Sequence, residues 1–228
     1  MNSIISSILF WFEKLAPQKN YKEIKSCTPP AGGWLDYKLN QEELDYVWKC
    51  VNRKSYIDYR ENLAGNITSS RLLIDENNYF YENVLKPLLK VYSDQFGIPN
   101  STLPISGRFP FHLREWWVNY QYQNEFNPLH DHSGVYSFVI WLKIPTNHAE
   151  QNVGNESNRK CKGSFSFQYT GILGDMRTYW YNLSKEDEGT LLLFPSKLSH
   201  QVYPFYDCDE DRISVSGNIF LDGYNPLE

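Results

Sequence analysis

The sequence predicts an α+β fold, with helices in the first half laid on a β core built by the second. Three observations carry this. From residue 112 onward the chain runs through short apolar or alternating stretches, "HLREWWVNYQYQ", "VYSFVIWLKIP", "GSFSFQYT", "GTLLLFP", "HQVYPF" and "RISVSGNIFL", separated by polar turns. Before residue 100, two segments instead carry apolar residues at helical spacing. Aromatic residues make up 16% of the chain, with 17 Tyr and 7 Trp, a share that suits pleated, half-buried surfaces. At 228 residues the chain suits one domain with a sizeable core. The expected division is a single domain over 1–228, with an N-terminal helix at 1–16, a helical and mixed support region at 17–111, and the β core at 112–228.

Taken in order, "MNSIISSILFWFEKLAP" places Ile4, Ile5, Ile8, Leu9, Phe12 and Leu15 on one helical face. The run is broken by Ser6 and Ser7, lacks a basic n-region and a cleavage site, and is too short to span a bilayer. The helix is expected to pack on the domain or dock on a partner. Membrane-surface anchoring is the competing reading, with only Lys14 and Lys19 as nearby cations. Pro29, Pro30, Gly32 and Gly33 make a break, and "WLDYKLN" at 34–40 reads as a short strand. "QEELDYVWKCVN" at 41–52 reads as a helix capped by Asn40, with Leu44, Val47, Trp48 and Val51 on one face. A second helix is expected over 75–97, kinked or broken at Pro87 and ended by Gly97 and Pro99. The polar stretch at 146–162 is expected to be a mobile loop between strands.

A net charge of −5 and a pI of about 5.6 argue against a partner such as nucleic acid that is bound through a basic surface. Cys27, Cys50, Cys161 and Cys208 form no CxxC pair and follow no secretory signal, so free thiols in a reducing, cytoplasmic setting are expected, with no transmembrane segment.

The chemistry concentrates in few residues. Of five histidines, two stand one residue apart in "NPLHDHSGVYSFVIW" at 127–141. In a strand, positions i and i+2 share a face, so His130 and His132 converge while Asp131 points away, giving half a site for a divalent transition metal. His200 opens a later strand in "LLLFPSKLSHQVYPF" and is the candidate third ligand. His112 reads as a core histidine bonded to backbone, and His148 lies in the polar loop. Twelve residues after His200, Arg212 opens a strand whose Ser214, Ser216 and Asn218 share its face. A buried arginine needs an acidic partner, either a protein carboxylate or that of a small ligand, with Ser214 as a further donor. Asp207, Asp209, Glu210 and Asp211 are the nearby protein candidates. Asn119 and Gln121 share a face with Trp117, and Asn119 is a candidate contact to a small ligand. Trp116, Trp117 and Trp141 read as core.

These residues resemble the iron(II)/2-oxoglutarate-dependent oxygenases, and most closely a subgroup of bacteria and marine phages. The resemblance lies in "NPLHDHSGVYSFVIWLKIP" at 127–145 and "GTLLLFPSKLSHQVYPFYDCDEDRISVSGNIFL" at 189–221, with a fainter match in "ENLAGNITSS" at 61–70. It covers roughly residues 112–222 and implies a double-stranded β-helix, or jelly roll. It also implies Fe(II) and 2-oxoglutarate as cofactors, O2 as co-reactant, and hydroxylation of an unnamed substrate with release of succinate and CO2. For a phage protein the setting would be the host cytoplasm. Mapped by motif, His130 and His200 are ligands, Arg212 holds the far carboxylate of 2-oxoglutarate and Ser214 assists. The family pattern is His-x-Asp, whereas here the acid is at i+1 and His132 stands at i+2. Three readings follow: a His130–His132–His200 centre, a bulge that brings Asp131 inward in place of His132, or an i+2 position that leaves the metal open. The polar loop at 146–162 is the expected lid. A cupin-like three-histidine metalloprotein without 2-oxoglutarate, a non-catalytic jelly-roll binding module and a retired oxygenase are the rivals. The first of these pairs Arg212 with a protein acid.

Overall fold

The computed structural model describes residues 32–53, 57–97 and 109–223. Residues 1–31 and 32–228 separate into two units, and the second is described below. The expected N-terminal helix, Cys27 and Pro99 lie outside the described residues.

Alternation along the last strand sets the layers. In β11 (Arg212–Leu221), Val215 and Ile219 join a core on one side of the sheet, while Arg212, Ser214, Ser216 and Asn218 face the other. This strand is central in a seven-stranded sheet of order β1-β9-β6-β11-β4-β3-β2. Its members are β1 (Leu35–Lys38), β2 (Ile57–Asp58), β3 (Ser69–Leu72), β4 (Phe111–Gln121), β6 (Tyr136–Lys143) and β9 (Thr190–Pro195). A second sheet has the order β5-β10-β7-β8, from β5 (Asn127–His130), β7 (Phe165–Thr170), β8 (Met176–Tyr181) and β10 (Ser199–Val202). All pairings are antiparallel. From β4 to β11 the chain deals β4, β6, β9 and β11 to the larger sheet and β5, β7, β8 and β10 to the smaller. That is the double-stranded β-helix, and the fold class is α+β.

The apolar runs of β6 and β9 are continuous because both their faces are covered. Phe138, Ile140, Leu142, Leu191 and Leu193 join the core beneath the helices, whereas Val139, Trp141, Leu192 and Phe194 pack with Phe165 and Phe167 of the opposite sheet. Helix α1 (Gln41–Val51) buries Val47, Cys50 and Val51 in the first of these cores. Asn40 caps it as expected. Its Oδ1 accepts from Glu43 N at 3.0 Å, and Glu43 Oε2 accepts from Asn40 N at 2.9 Å.

The second helix begins later than its sequence suggests. Asn77 and Asn78 take positive φ of 56° and 53°, and Asp75 caps the following turn by accepting from Phe80 N and Tyr81 N at 2.9 Å each. Pro87 neither breaks nor ends it. A π-turn over Tyr81–Leu85 precedes α2 (Lys86–Phe96), and so wide a turn relieves the clash that the proline ring would make one turn back.

Four strands were not expected: β2, β3, β5 and β8. β5 is "NPLH", where Pro128 hides the pattern, and β8 is "MRTYWY", mostly open to solvent on both faces. The loop at 146–162 is tied down rather than free. It contains α3 (His148–Gln151), and the Gln151 amide exchanges two 2.8 Å hydrogen bonds with the backbone of Tyr206. Buried Asn152 bonds His148 O and Lys162 O. Cys50, Cys161 and Cys208 are free thiols. Among the described residues no helix is long and apolar enough to cross a membrane.

Candidate metal centre

β5 and β10 pair with His130 directly opposite His200. That register, not the i/i+2 geometry of one strand, brings the first two imidazoles together, with ring centroids 4.3 Å apart. His130 ends β5 rather than opening a strand, and His132 lies beyond it. The backbone N–H of His132 donates to Ser196 O at 2.9 Å, on the turn that leads into β10. The ring of His132 thereby comes within 4.9 Å of both others, centroid to centroid. One nitrogen from each of the three lies within 4.8 Å of the other two.

The proton positions follow from the partners. His130 Nδ1 faces Pro128 O at 2.7 Å and His200 Nδ1 faces Leu198 O at 2.9 Å. A carbonyl only accepts, so both Nδ1 atoms carry the proton and both Nε2 atoms present a bare lone pair. His132 Nε2 lies 3.2 Å from His200 Nε2. Either a proton or a cation must lie between such a pair. Nitrogens bound to one ion at about 2.1 Å stand about 3.0–3.4 Å apart, which brackets this spacing. Burial lowers all three pKa values, that of His132 to about 4 and that of His200 well below its ordinary value. The rings are therefore neutral at pH 7, the form that ligates metal. The donor set fits a divalent transition ion. Asp131 also borders this space, and its Oδ1 accepts from Lys197 Nζ at 2.9 Å at the surface.

These imidazoles line a cavity of about 100 Å³ between the sheets, together with Trp117, Asn119, Gln121, Trp141 and Ser214. The cavity wall also holds unmet polar atoms: the Nε1 of Trp117 and of Trp141 and the Oδ1 of Asn119 are buried without a partner. An indole N–H can only donate, so these walls suit a ligand rich in acceptors. Both tryptophans are buried, as the sequence suggests, yet their polar edges are unspent.

Arg212 stands two residues before Ser214 on the same strand face and is 1% exposed. It meets no carboxylate among the described residues. Its Nε and Nη2 both donate to Gln121 Oε1 (3.1 and 2.8 Å), Nη1 to Gly163 O (2.9 Å) and Nη2 to Tyr203 O (2.8 Å). Burial pushes its pKa down to about 9, which leaves it charged at neutral pH. The neighbouring acids are engaged elsewhere: Asp209 accepts from Tyr122 and Gln123, and Glu210 pairs with Lys143. His112 Nδ1 has no partner, contrary to the expected backbone bond, and His148 Nε2 faces Lys160 O.

The expected lid does not reach the cavity: no residue of 146–162 lines it, whereas Asn62, Leu63, Ala64 and Ile67 do. These four were missed as site residues, although "ENLAGNITSS" carried a signal there. Gly65 in that stretch lies so close to β5 that a Cβ would meet Asn127 Oδ1 and Phe126 O.

Residues 115–218, the span that holds the histidines and Arg212, match the family model described as "Putative 2OG-Fe(II) oxygenase". That span is a little under half of the chain, and over it the chain is similar to the 2OG-Fe(II) oxygenases. No curated protein matches it in sequence. Among solved structures it is similar to a Pseudomonas putida prolyl-4-hydroxylase, at 15% identity and a TM-score of 0.48 over 84% of this chain and 94% of that one. It is also similar to a viral collagen prolyl hydroxylase from Paramecium Bursaria Chlorella virus-1, at 10% identity and a TM-score of 0.47 over 82% and 94%. A third similar structure is HygX from Streptomyces hygroscopicus, at 10% identity and a TM-score of 0.45 over 86% of each chain.

Proposed function

We propose that this protein is an oxygenase that uses O2 to hydroxylate a C–H bond of a second substrate while 2-oxoglutarate is converted to succinate and CO2, one oxygen atom going to each product. His130, His132 and His200 hold the iron, and Arg212, Ser214 and Asn119 hold the cosubstrate. The observation that carries the reading is the presence of two unmet demands, one on each of the two sheets. Three neutral imidazoles converge within 4.8 Å, and a buried guanidinium lacks a carboxylate among the described residues. A cupin-like protein without 2-oxoglutarate would have answered that arginine with an acid of its own.

When bound, Fe(II) and 2-oxoglutarate would activate O2, which is the oxidant. The chain's own residues do the rest. Pro128 O and Leu198 O fix two imidazoles in the tautomer that points Nε2 inward. Val139, Phe165 and Phe194 wall the cavity and exclude water. Gln121 Oε1 occupies the Nε/Nη2 edge of Arg212, the edge that suits a bidentate carboxylate, so the amide would yield that edge to the cosubstrate. The Trp141 and Ser214 donors flank it across the β6–β11 pairing. The free thiols of Cys50, Cys161 and Cys208 favour a reducing, cytoplasmic setting.

The test is an anaerobic Fe(II) titration followed by 2-oxoglutarate, watching for the visible charge-transfer band of the chelate. Wild type and Asp131→Ala should give the band, and His132→Ala and Arg212→Ala should lose it. Retention in His132→Ala and loss in Asp131→Ala would replace the three-histidine centre by an ordinary acid-bearing one. No band in any protein would remove the cosubstrate from the reading.

A further inference from the structure

The two sequence blocks contain polar residues that neither metal nor cosubstrate binding uses: Ser137 in "VYSFVIW", Ser196 in "LLLFPSK" and Asn218 in "SVSGNIF". They lie 59 and 81 positions apart, counted from Ser137, yet they meet in one buried chain of hydrogen bonds. Asn218 Nδ2 donates to Glu115 Oε1 at 2.9 Å, which turns its Oδ1 toward Ser137. The Ser137 hydroxyl lies 2.8 Å from that Oδ1 and 2.9 Å from Ser196 Oγ. It has one proton, and Asn218 Oδ1 can only accept, so Ser137 donates to Asn218 and Ser196 donates to Ser137. The chain thus runs in one direction, Ser196 to Ser137 to Asn218 to the Glu115 carboxylate. Exposure is 1% at Ser137, 0% at Ser196 and 4% at Asn218, so a lost member leaves its neighbour unpaired with no water to replace it.

Its outer end is where the ligands are held. Ser196 O accepts from His132 N at 2.9 Å and Ser196 N donates to Val135 O at 3.0 Å, so this one residue clips the segment carrying His132 to the turn leading into His200. We propose that Ser196, Ser137 and Asn218 are positioning residues of the metal centre: the chain fixes the His132 segment against β10 and so sets the spacing of the third imidazole. The inference rests on the three-histidine reading above.

The test is Co(II) binding to the full-length protein, followed by its visible ligand-field spectrum, with melting of the EDTA-stripped protein alongside. Ser137→Ala orphans both Asn218 Oδ1 and the Ser196 hydroxyl and should weaken Co(II) binding by about tenfold or more, with a shifted spectrum. Ser196→Ala orphans one lone pair and should weaken it less. The double variant should resemble Ser137→Ala, because the chain is already broken. Ser164→Ala removes an equally buried serine outside the chain and should keep wild-type Co(II) affinity, whatever its melting temperature. Variants that melt lower yet bind Co(II) within twofold of wild type, with an unchanged spectrum, would overturn the proposal and leave these residues purely structural. Should Ser137→Ala not fold, Ser196→Ala decides alone. Wild type that binds no Co(II), or binds it equally after His200→Ala, would instead overturn the metal reading and the inference with it.

Discussion

Gln121→Glu tests whether the buried guanidinium serves a ligand or the fold. Gln121 Oε1 already accepts from Arg212 Nε at 3.1 Å and Nη2 at 2.8 Å, so a glutamate of nearly the same shape would put a carboxylate oxygen on the same fork. Two unit charges about 4 Å apart attract by about 4 kcal/mol at an effective dielectric constant of 20. Bringing a new carboxylate inside costs several kcal/mol, of order the same size. The new oxygen also faces Glu125 O, to which Gln121 Nε2 now donates. The stability change is therefore expected to be small. The effect on 2-oxoglutarate is not. A hydrogen bond to a charged partner contributes about 1.5–3 kcal/mol, so an arginine already answered from within should raise the dissociation constant by about 10–150-fold. Calorimetric titration of the Fe(II)-loaded, anaerobic protein measures this directly. The iron affinity should hold, since the hydrogen bonds of Gln121 run to Arg212 and Glu125 and not to a histidine. A variant that binds 2-oxoglutarate as tightly as wild type would show that Arg212 is a structural cation content with neutral acceptors.

Other predictions follow from the same geometry. His132→Ala should weaken iron binding by at least about tenfold, whereas Asp131→Ala removes only an exposed pair with Lys197 and should change it less than twofold. Stripped of metal, the protein should lose stability as pH falls below 6.5. The buried histidines have folded pKa values below the unfolded one, so the unfolded chain takes up protons that the folded site refuses. His132, lowered from 6.5 to about 4, accounts for about 3 kcal/mol across that window, and above it stability should be flat. Urea titrations at pH 7.5, 6 and 5 would show this, and bound metal should suppress it. Gly217→Ala places a Cβ 2.6 Å from the Phe138 ring and 2.8 Å from Trp116 Cβ, an overpacking of about 1–3 kcal/mol. Its melting temperature should fall by about 3–10 °C while the Co(II) spectrum stays that of wild type.

Much of this molecule is legible in the sequence because its core strands have opposite demands on their two faces. β11 alternates Ile213, Val215, Gly217 and Ile219 toward the helices with Arg212, Ser214, Ser216 and Asn218 toward the cavity, and that alternation stands in the sequence. Its capped helix is equally plain, since Asn40 and Glu43 stand three apart before an apolar stripe. What escapes reading is long-range register. His130 opposes His200 because β5 and β10 pair, and β5 is four residues with a proline at its second position. No local pattern marks such a strand. His132 reaches the other rings through a backbone bond to Ser196, a contact 64 positions away. The convergence expected from an i/i+2 strand is present, but for this different reason. The cavity wall at 62–67 has no periodicity at all, and only the kinship of "ENLAGNITSS" to related chains marks it.

The three-histidine centre has an electrostatic consequence that links its ligands to the buried hydrogen-bond chain. A His-x-Asp set brings one negative charge to a divalent cation, and three neutral imidazoles bring none. With 2-oxoglutarate and Arg212 counted, the loaded site holds one more positive charge than an acid-bearing one would. Charge therefore contributes less to iron binding, and a larger share must come from ligands that are already in place. The structure supplies that order on each side: Pro128 O holds His130, Leu198 O holds His200, and Ser196 holds the backbone of His132. Two of these anchors act on the rings themselves. The third acts only on the backbone, which leaves the His132 ring the freest of the three and makes the chain from Ser196 to Glu115 its main restraint. A loss of one hydroxyl in that chain should therefore loosen His132 more than either of its companions.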